Sequence, residues 1–93
     1  MRFEWDERKN AANIRKHKID FADVPAVFDG PLLVAYDDRR DYGEDRWIGI
    51  GVLRGIIVVV VVFSEYGEDT IRIISARKAN RYEQRRYREY FQY

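Results

Sequence analysis

The spacing of apolar and polar residues predicts that the chain begins with a short strand and a helix. Residues 3–5 carry two aromatic side chains and favour a strand, and Asp6 is a good N-cap for a helix over residues 7–17. Three polar residues share one face of that helix: Asn10, Asn13 and His17. The apolar residues Ala11 and Ile14 lie on a different face.

A second short helix is predicted to follow directly. Asp20 is its N-cap residue. Its apolar stripe consists of Phe21, Val24, Val27 and Phe28. Pro25 lies inside this segment and should strain or kink it, and Asp29-Gly30-Pro31 should end it.

The centre of the chain has the pattern of an antiparallel meander. Four segments are predicted to be strands: residues 32–36, 46–53, 56–63 and 70–76. They are separated by a polar loop at 37–45, a tight turn at Arg54-Gly55 and a turn at 64–69. The third strand is apolar on both faces, so we expect it to be central, with a helix on one side and at least partial cover on the other.

The last helix is predicted to run from about Arg81 to the end of the chain, because Asn80-Arg81-Tyr82-Glu83 has the form of a capping box. One side of it is aromatic: Tyr82, Tyr87, Tyr90, Phe91 and Tyr93. We interpret that side as core or interface packing, with base stacking as the alternative. The opposite side carries Arg81, Arg85 and Arg88, which form either a solvated face or a surface for phosphate or an acidic partner.

These elements predict one α+β domain over residues 1–93. A twisted antiparallel sheet of about four strands should pack with the N-terminal helices and the C-terminal helix. Because the chain has no cysteine, it has no disulfide, no thiolate zinc site and no cysteine nucleophile. The chain begins without a signal-peptide pattern, and its longest apolar run is too short to cross a bilayer. A cytoplasmic protein without membrane attachment is expected.

The net charge of +1 conceals a separation of charge along the chain. Residues 1–19 and 76–93 are rich in lysine and arginine, whereas residues 20–45 are mostly acidic. If the two ends meet in the fold, they form a positive patch suited to RNA or DNA. Alternatively, the basic ends pair with the acidic middle and the charges cancel.

The last predicted strand contains the most informative residues. By strict alternation Arg72 shares a face with Ile74, opposite Ile71, Ile73 and Ser75. An arginine inside a strand is costly unless it faces a groove or an anion, and Arg77 follows at the end of the strand. The pair therefore suggests contact with phosphate. The alternatives for Arg72 are that it lies on an exposed face or pairs with Asp37 or Glu83. The alternative for Arg77 is an exposed position, without a role, between the last strand and the last helix.

No strong catalytic or metal-binding motif is present. What remains is His17, flanked by Lys16 and Lys18, together with several arginines such as Arg46. Metal-free RNA cleavage needs a proton-transfer group, which a histidine provides near neutral pH, and cations that stabilise the developing charge. Alternatively, His17 only caps carbonyls at a helix end and Arg46 only ends its strand. These residues alone do not separate a nuclease from a nucleic-acid-binding module.

An ordered set of short motifs along nearly the whole chain resembles one known family, the BrnT toxins. The matching residues are Phe3-Glu4-Trp5-Asp6, Lys9, Asn13, Lys16-His17, Phe21, Val27-Phe28-Asp29, Glu44-Asp45-Arg46, Ile48-Gly49, Ile71 to Arg77, Glu83 and Tyr87. The resemblance implies a RelE-like ribonuclease fold and the toxin half of a type II toxin–antitoxin pair. It also implies a BrnA-like antitoxin with a ribbon-helix-helix part, through which alone the toxin would contact DNA.

The resemblance implies a metal-independent endoribonuclease that needs no cofactor and forms a 2′,3′-cyclic phosphate. Its site would consist of His17 for proton transfer, Arg72 and Arg77 for phosphate, and Lys16 and Arg46 as helpers. The alternative is a non-catalytic subunit that binds the antitoxin and modulates its grip on DNA.

Two residues depart from the family pattern near this site. Lys18 stands where the family usually has glycine, a residue that permits a left-handed turn without steric cost. Pro25 interrupts the second helix.

Overall fold

The computed structural model describes residues 1–91 as five strands, two α-helices and one 3-10 helix. In chain order these are β1 (Arg2–Glu4), α1 (Glu7–His17), the 3-10 helix (Phe21–Asp29), β2 (Leu33–Tyr36), β3 (Trp47–Leu53), β4 (Ile57–Tyr66), β5 (Thr70–Lys78) and α2 (Arg81–Phe91). Tyr93, which the sequence assigned to the aromatic side of the last helix, lies outside the described residues.

The strands form one sheet in the order β1-β5-β4-β3-β2. β2, β3, β4 and β5 pair antiparallel as the meander pattern predicted, and β1 adds a short parallel strand beside β5. The predicted α+β class is confirmed, with five strands instead of about four. β4 and β5 are also longer than predicted, because their pairing continues to Tyr66 opposite Thr70 at one end and to Lys78 opposite Val59 at the other.

The two faces of the sheet are covered differently. One face, called the core face here, packs against the 3-10 helix and carries Val59, Val61, Phe63, Ile71, Ile73 and Ala76. The other face, called the α2 face, carries Ile50 and Val60, which pack with Ala79 and the buried ring of Tyr87. Since α2 covers only one end of this second face, the end near Tyr66 and Thr70 is left without a helix over it.

The segment around Pro25 is a 3-10 helix and not a kinked α-helix. A 3-10 helix has three residues per turn, so Phe21, Val24 and Val27 lie in one line, and all three are buried. Asp20 caps the helix, as predicted, by accepting a hydrogen bond from the N–H of Ala22. This helix lies very close to β3: a Cβ on Gly51 would come within 2.6 Å of Val27, which explains the glycine there.

Helix α1 is attached to the free edge of β5 by a side-chain amide. Asn13 donates to the carbonyl of Ala76 at 2.9 Å and accepts from the N–H of the same residue at 3.2 Å. Asn10, one turn earlier, accepts from the N–H of Phe21. The predicted polar face of α1 therefore points inward at these two residues, and both are buried. The attachment places the end of α1, with His17, near the end of β5.

Candidate active site

A β-bulge in β5 decides which residues share a face. Val62 pairs with Ser75, and Phe63 pairs with Ile73, so Ile74 has no partner on β4. Beyond the bulge the alternation is shifted by one residue. Strict alternation would have put Arg72 and Arg77 on opposite faces. In the structure both lie on the α2 face.

The registers confirm this arrangement. Arg72 is paired with Ser64, and Arg77 with Val60, which belongs to the α2 face. Ala76, paired with Val61, packs in the core face. The prediction that Ser75 lies opposite Arg72 was therefore wrong, because it assumed an unbroken period of two.

Five polar residues, one from each strand or its end, form a row across the open end of the α2 face. Strand pairing aligns Glu4 with Arg72 and Arg72 with Ser64. Arg46 is next to Ser64 because the following residue of β3 pairs with the preceding residue of β4. Asp37 completes the row, since its N–H donates to the carbonyl of Arg46 at 2.8 Å. These residues are called the polar row below.

Arg72 forms an ion pair inside the polar row. Its Nη1 lies 2.8 Å from a carboxylate oxygen of Glu4, and its guanidinium carbon lies 5.9 Å from the centre of the Tyr66 ring. Both members of the pair are partly exposed. The partners considered from the sequence, Asp37 and Glu83, bind Arg39 and Arg77 instead. In the structure Arg72 therefore forms its ion pair with a residue of β1, the first strand of the chain.

Arg46 and Glu44 lie beside Arg72. Arg46 Nε lies 3.3 Å from Glu44, and its guanidinium carbon is 4.0 Å from the centre of the Tyr42 ring. The other carboxylate oxygen of Glu44 accepts from the Tyr66 hydroxyl at 2.9 Å. That hydrogen bond, together with the bond from Arg46 and the positive charges of Arg46 and Arg72, lowers the pKa of Glu44. Glu44 is therefore a charged carboxylate held next to two guanidinium groups.

The loop that carries Glu44 begins at an ion pair between a buried carboxylate and an exposed arginine. Asp37 is only 2% exposed, and its two oxygens accept from Arg39 Nε at 2.7 Å and Nη2 at 2.8 Å. The hydrogen bonds from Arg39 hold the pKa of Asp37 at about 2. This bidentate pair fixes the start of the loop beside the polar row.

Arg77 is held in place by the first turn of α2. Its two terminal nitrogens each lie 2.8 Å from an oxygen of Glu83. Glu83 also accepts from the N–H of Asn80, and Asn80 accepts from the N–H of Glu83, which is the predicted capping box. The hydrogen bonds to Glu83 raise the pKa of Arg77, and those from Arg77 lower the pKa of Glu83. The cap of α2 thus orients a guanidinium on the sheet.

His17 ends α1 in the neighbourhood of Arg77. Partial burial lowers its pKa below 6.5, and the positive charges of Lys16 and Arg77 lower it further. Its imidazole is consequently neutral at neutral pH. Lys16 is exposed. Lys18 follows in a left-handed conformation, with φ 61°, and its N–H donates to the carbonyl of Ile14, so a lysine makes a turn that glycine would make without steric cost.

The structure therefore brings the predicted residues together in two groups, with the three arginines on the α2 face and the two α1 residues beside the edge of β5. One group is Arg46 and Arg72 in the polar row. The other is Arg77, with His17 and Lys16 at the end of α1. The residues that sequence reasoning missed are Glu4, Tyr42, Glu44, Ser64 and Tyr66. Glu4 and Glu44 stood in the quoted family motifs without a role, and Tyr42 lies in the same loop as Glu44. Ser64 and Tyr66 reach the site only through the pairing of distant strands.

The arginine side of α2 lies outside both groups. Arg81, Arg85 and Arg88 are exposed, and none has an ion pair with another residue in the described range 1–91. The aromatic side is divided: Tyr87 is buried and donates to the carbonyl of Pro31, whereas Tyr82 and Tyr90 are exposed. Core packing, the first interpretation of the aromatic side, therefore holds for Tyr87.

Two negative findings apply to the part of the chain that the structure describes. No three or more side chains of the types His, Cys, Asp and Glu are grouped so that they could hold a metal ion. No helix there is both long enough and apolar enough to span a membrane.

Comparison with known proteins identifies the family. Residues 5–83 match the family described as the ribonuclease toxin BrnT of type II toxin–antitoxin systems. Among solved structures, the chain is similar to the Brucella abortus ribonuclease toxin BrnT, with a TM-score of 0.67, 31% sequence identity, and coverage of 87% of this chain and 99% of that one. No curated protein matches. With the family matched over most of its length and the fold shared with a member, the chain belongs to the BrnT family of ribonuclease toxins of type II toxin–antitoxin systems.

Proposed function

We propose that this chain is an endoribonuclease toxin that cleaves RNA without a metal ion and leaves a 2′,3′-cyclic phosphate. The observation that carries the proposal is the bulge at Ile74, which puts Arg72 and Arg77 on one sheet face, with the neutral His17 beside Arg77. Membership of a ribonuclease toxin family supports the substrate class. Guanidinium groups supply the positive charge that a phosphoryl transition state requires.

In the proposed reaction, His17 accepts the proton of the 2′-hydroxyl group as the 2′-oxygen attacks phosphorus. The bond between phosphorus and the 5′-oxygen breaks, and the leaving oxygen takes a proton from Lys16 or solvent. A histidine whose pKa is lowered is suited to the accepting role, since it is already neutral. Arg77 stabilises the negative charge on the phosphate, and Arg46 and Arg72 bind the substrate beside it.

The ion pairs of the arginines leave donors for RNA. Arg72 uses only Nη1 on Glu4, so most of its five N–H groups remain open. Arg77 uses both terminal nitrogens on Glu83 and also approaches the carbonyl of Lys78 at 3.3 Å. The carboxylates therefore orient the guanidinium groups without using every donor.

The same ion pairs favour a second candidate function, a non-catalytic subunit that only binds an antitoxin. In that case the pairs of Arg46, Arg72 and Arg77 with Glu44, Glu4 and Glu83 would serve stability alone. Substitution of these arginines would then affect the melting temperature and leave any RNA cleavage unchanged.

The partner in either case is an antitoxin, as the family implies. We propose a BrnA-like antitoxin with a ribbon-helix-helix part, so that contact with DNA is made through the antitoxin, in the cytoplasm. The exposed arginines of α2 offer it a positive surface that is separate from the two groups of site residues.

The direct test is RNA cleavage by the purified chain, freed of any partner, in an excess of chelator. We expect cleavage, and a 2′,3′-cyclic phosphate at the new end as identified by mass spectrometry. The matched control is Arg54→Gln, which removes an exposed arginine that pairs with Asp23 away from the site. Cleavage that appears only after magnesium or manganese is added would contradict the mechanism.

A further inference from the structure

The centre of the polar row contains a hydroxyl group that nothing in the described structure satisfies. Ser64 is 1% exposed, and its Oγ has no hydrogen-bond partner among residues 1–91. Its neighbours on the two adjacent strands are Arg46 and Arg72. A buried polar atom without a partner is costly, and this one lies between two guanidinium groups. An O–H donor between two cations matches the oxygens of a phosphate.

The second group of site residues lies farther along β5 than the polar row. Ser64 and Val60, the partners of Arg72 and Arg77, are four residues apart on β4, so the two arginine backbones are roughly 13 Å apart at about 3.4 Å per residue. The two arginines also have different anchors. Glu4 holds Arg72 towards the outer strand β1, and Glu83 holds Arg77 at the first turn of α2.

We propose that the α2 face binds two different phosphates of one RNA strand. The phosphate to be cleaved binds at Arg77 and His17, and a flanking phosphate binds at Arg46, Ser64 and Arg72. The inference rests on the proposed function for the choice of substrate, and it adds that Arg72 is a substrate-binding residue for a neighbouring linkage. The RNA strand then runs along β5, across the interval between the two groups.

Glu44 is a competitor at the flanking site. Its charged carboxylate is bound by Arg46 and lies near Arg72, where the flanking phosphate would bind. The phosphate must therefore share or displace this carboxylate. Removal of the charge in Glu44→Gln should consequently strengthen binding, and a gain in affinity cannot result from misfolding.

The test is a binding experiment with a tetranucleotide that carries 2′-O-methyl groups. This probe cannot be cleaved, because it has no 2′-hydroxyl group. It is made in four forms: fully charged, or with one of its three linkages replaced by a neutral methylphosphonate. Each form is titrated against wild type, Arg72→Gln, Arg77→Gln, Glu44→Gln and the control Arg54→Gln, and melting temperatures are recorded on the same preparations.

For the fully charged form, we expect Arg72→Gln and Arg77→Gln each to weaken binding about tenfold, the usual worth of a charge-assisted hydrogen bond. The loss for Arg72→Gln should disappear when one linkage is neutral, and the loss for Arg77→Gln when a different linkage is neutral. The gain in affinity for Glu44→Gln should disappear at the same neutral linkage as the loss for Arg72→Gln. The two-phosphate arrangement is wrong if the losses of affinity for both arginine variants disappear at the same neutral linkage. It is also wrong if no single neutral linkage removes either loss.

Two features of the experiment distinguish a failure of the two-phosphate proposal from a failure of the proposed function. Because the probe is not cleaved, the binding pattern is obtained whether or not the wild type cleaves RNA in chelator. Ser64→Ala should weaken binding of the fully charged form and leave the melting temperature unchanged or higher, since it removes an unsatisfied hydroxyl. Unchanged binding in Ser64→Ala would contradict the assignment of Ser64 to the flanking site.

Discussion

Arg72 combines an ion pair with open hydrogen-bond donors, and a lysine in its place separates the two roles. Arg72→Lys keeps the charge near Glu4 but loses the forked donors. We expect kcat/KM for RNA cleavage to fall by roughly tenfold, mainly through KM, because Arg72 binds a flanking phosphate in the proposed arrangement. The melting temperature should change little, because a half-exposed ion pair contributes at most about 1 kcal/mol.

Measurement of cleavage and melting temperature on one preparation decides between the roles of Arg72. Full activity in the lysine variant would show that the forked donors of Arg72 are not needed for RNA cleavage. A large fall in melting temperature would instead assign it to the structural network with Glu4. Arg54→Lys, at the exposed ion pair with Asp23, is the matched control for the change of residue type.

The protonation of His17 predicts the pH dependence of cleavage. Burial and the charges of Lys16 and Arg77 lower its folded pKa below 6.5, so protonation is complete only at lower pH than for an ordinary histidine. A proton acceptor must be neutral; therefore kcat/KM should be constant near neutrality and fall as pH drops through this lowered pKa. The midpoint of the acidic limb should lie below 6.5.

Removal of a neighbouring charge shifts that midpoint in a known direction. Lys16→Gln should raise the pKa of His17 and move the acidic limb to higher pH, because one of the charges that lowers it is gone. The exposed Arg54→Gln serves as the control and should leave the profile unchanged. An acidic limb that does not move in Lys16→Gln would contradict the assignment of His17 as the acceptor.

At the scale of elements, β5 shows what the sequence can and cannot predict. Its strand pattern was clear, but Ile73, Ile74 and Ser75 fit either phase of alternation, so the bulge gave no signal. The pattern therefore singled out Arg72 and Arg77 as candidates without predicting that they share a face. The capping residues Asp6, Asp20 and Asn80 were predicted correctly, because caps depend on neighbours within a few residues.

Partners that lie far apart along the chain could not be predicted. Glu4 was quoted as part of a family motif, but its pairing with Arg72 depends on a parallel contact between the first and last strands. The orphaned hydroxyl of Ser64 likewise arises from its position between β3 and β5. Sequence patterns report local periodicity, whereas this site is built from strand register.

Helix α2 carries a prediction for the antitoxin. Arg81, Arg85 and Arg88 are exposed on one side of it and have no ion pair within residues 1–91. Replacement of all three by glutamine should leave the fold intact, weaken binding of the antitoxin and reduce the salt dependence of that binding. Isothermal titration at several salt concentrations measures both quantities.

The control for α2 uses another side of the same helix. Arg86 lies near the ring of Tyr82, so Arg86→Gln removes one charge from α2 without changing the three-residue set. It should have a smaller effect on antitoxin binding than the triple variant. If the triple variant binds its antitoxin with unchanged affinity and salt dependence, these arginines are only a solvated face.

Across the whole molecule, the charge pattern is resolved mainly in the first of the two ways that the sequence allowed. The ends do meet, since α1 attaches to β5 and places His17 near Arg77. Among the described residues, however, no ion pair joins either basic end to the acidic middle, whose Glu44 and Asp23 pair with Arg46 and Arg54 instead. The net charge of +1 is therefore a poor description of a surface on which cations and carboxylates are interleaved.

The polar row has a consequence for the point during synthesis at which we expect the protein to become toxic. Arg72 bonds to a residue 68 positions earlier in the chain, and contacts of such long range form late because their loops are costly to close. A nascent chain has neither Arg72 nor Arg77 until β5 has left the ribosome. We therefore expect every growing chain to be harmless during synthesis, so that the antitoxin has that whole interval in which to accumulate.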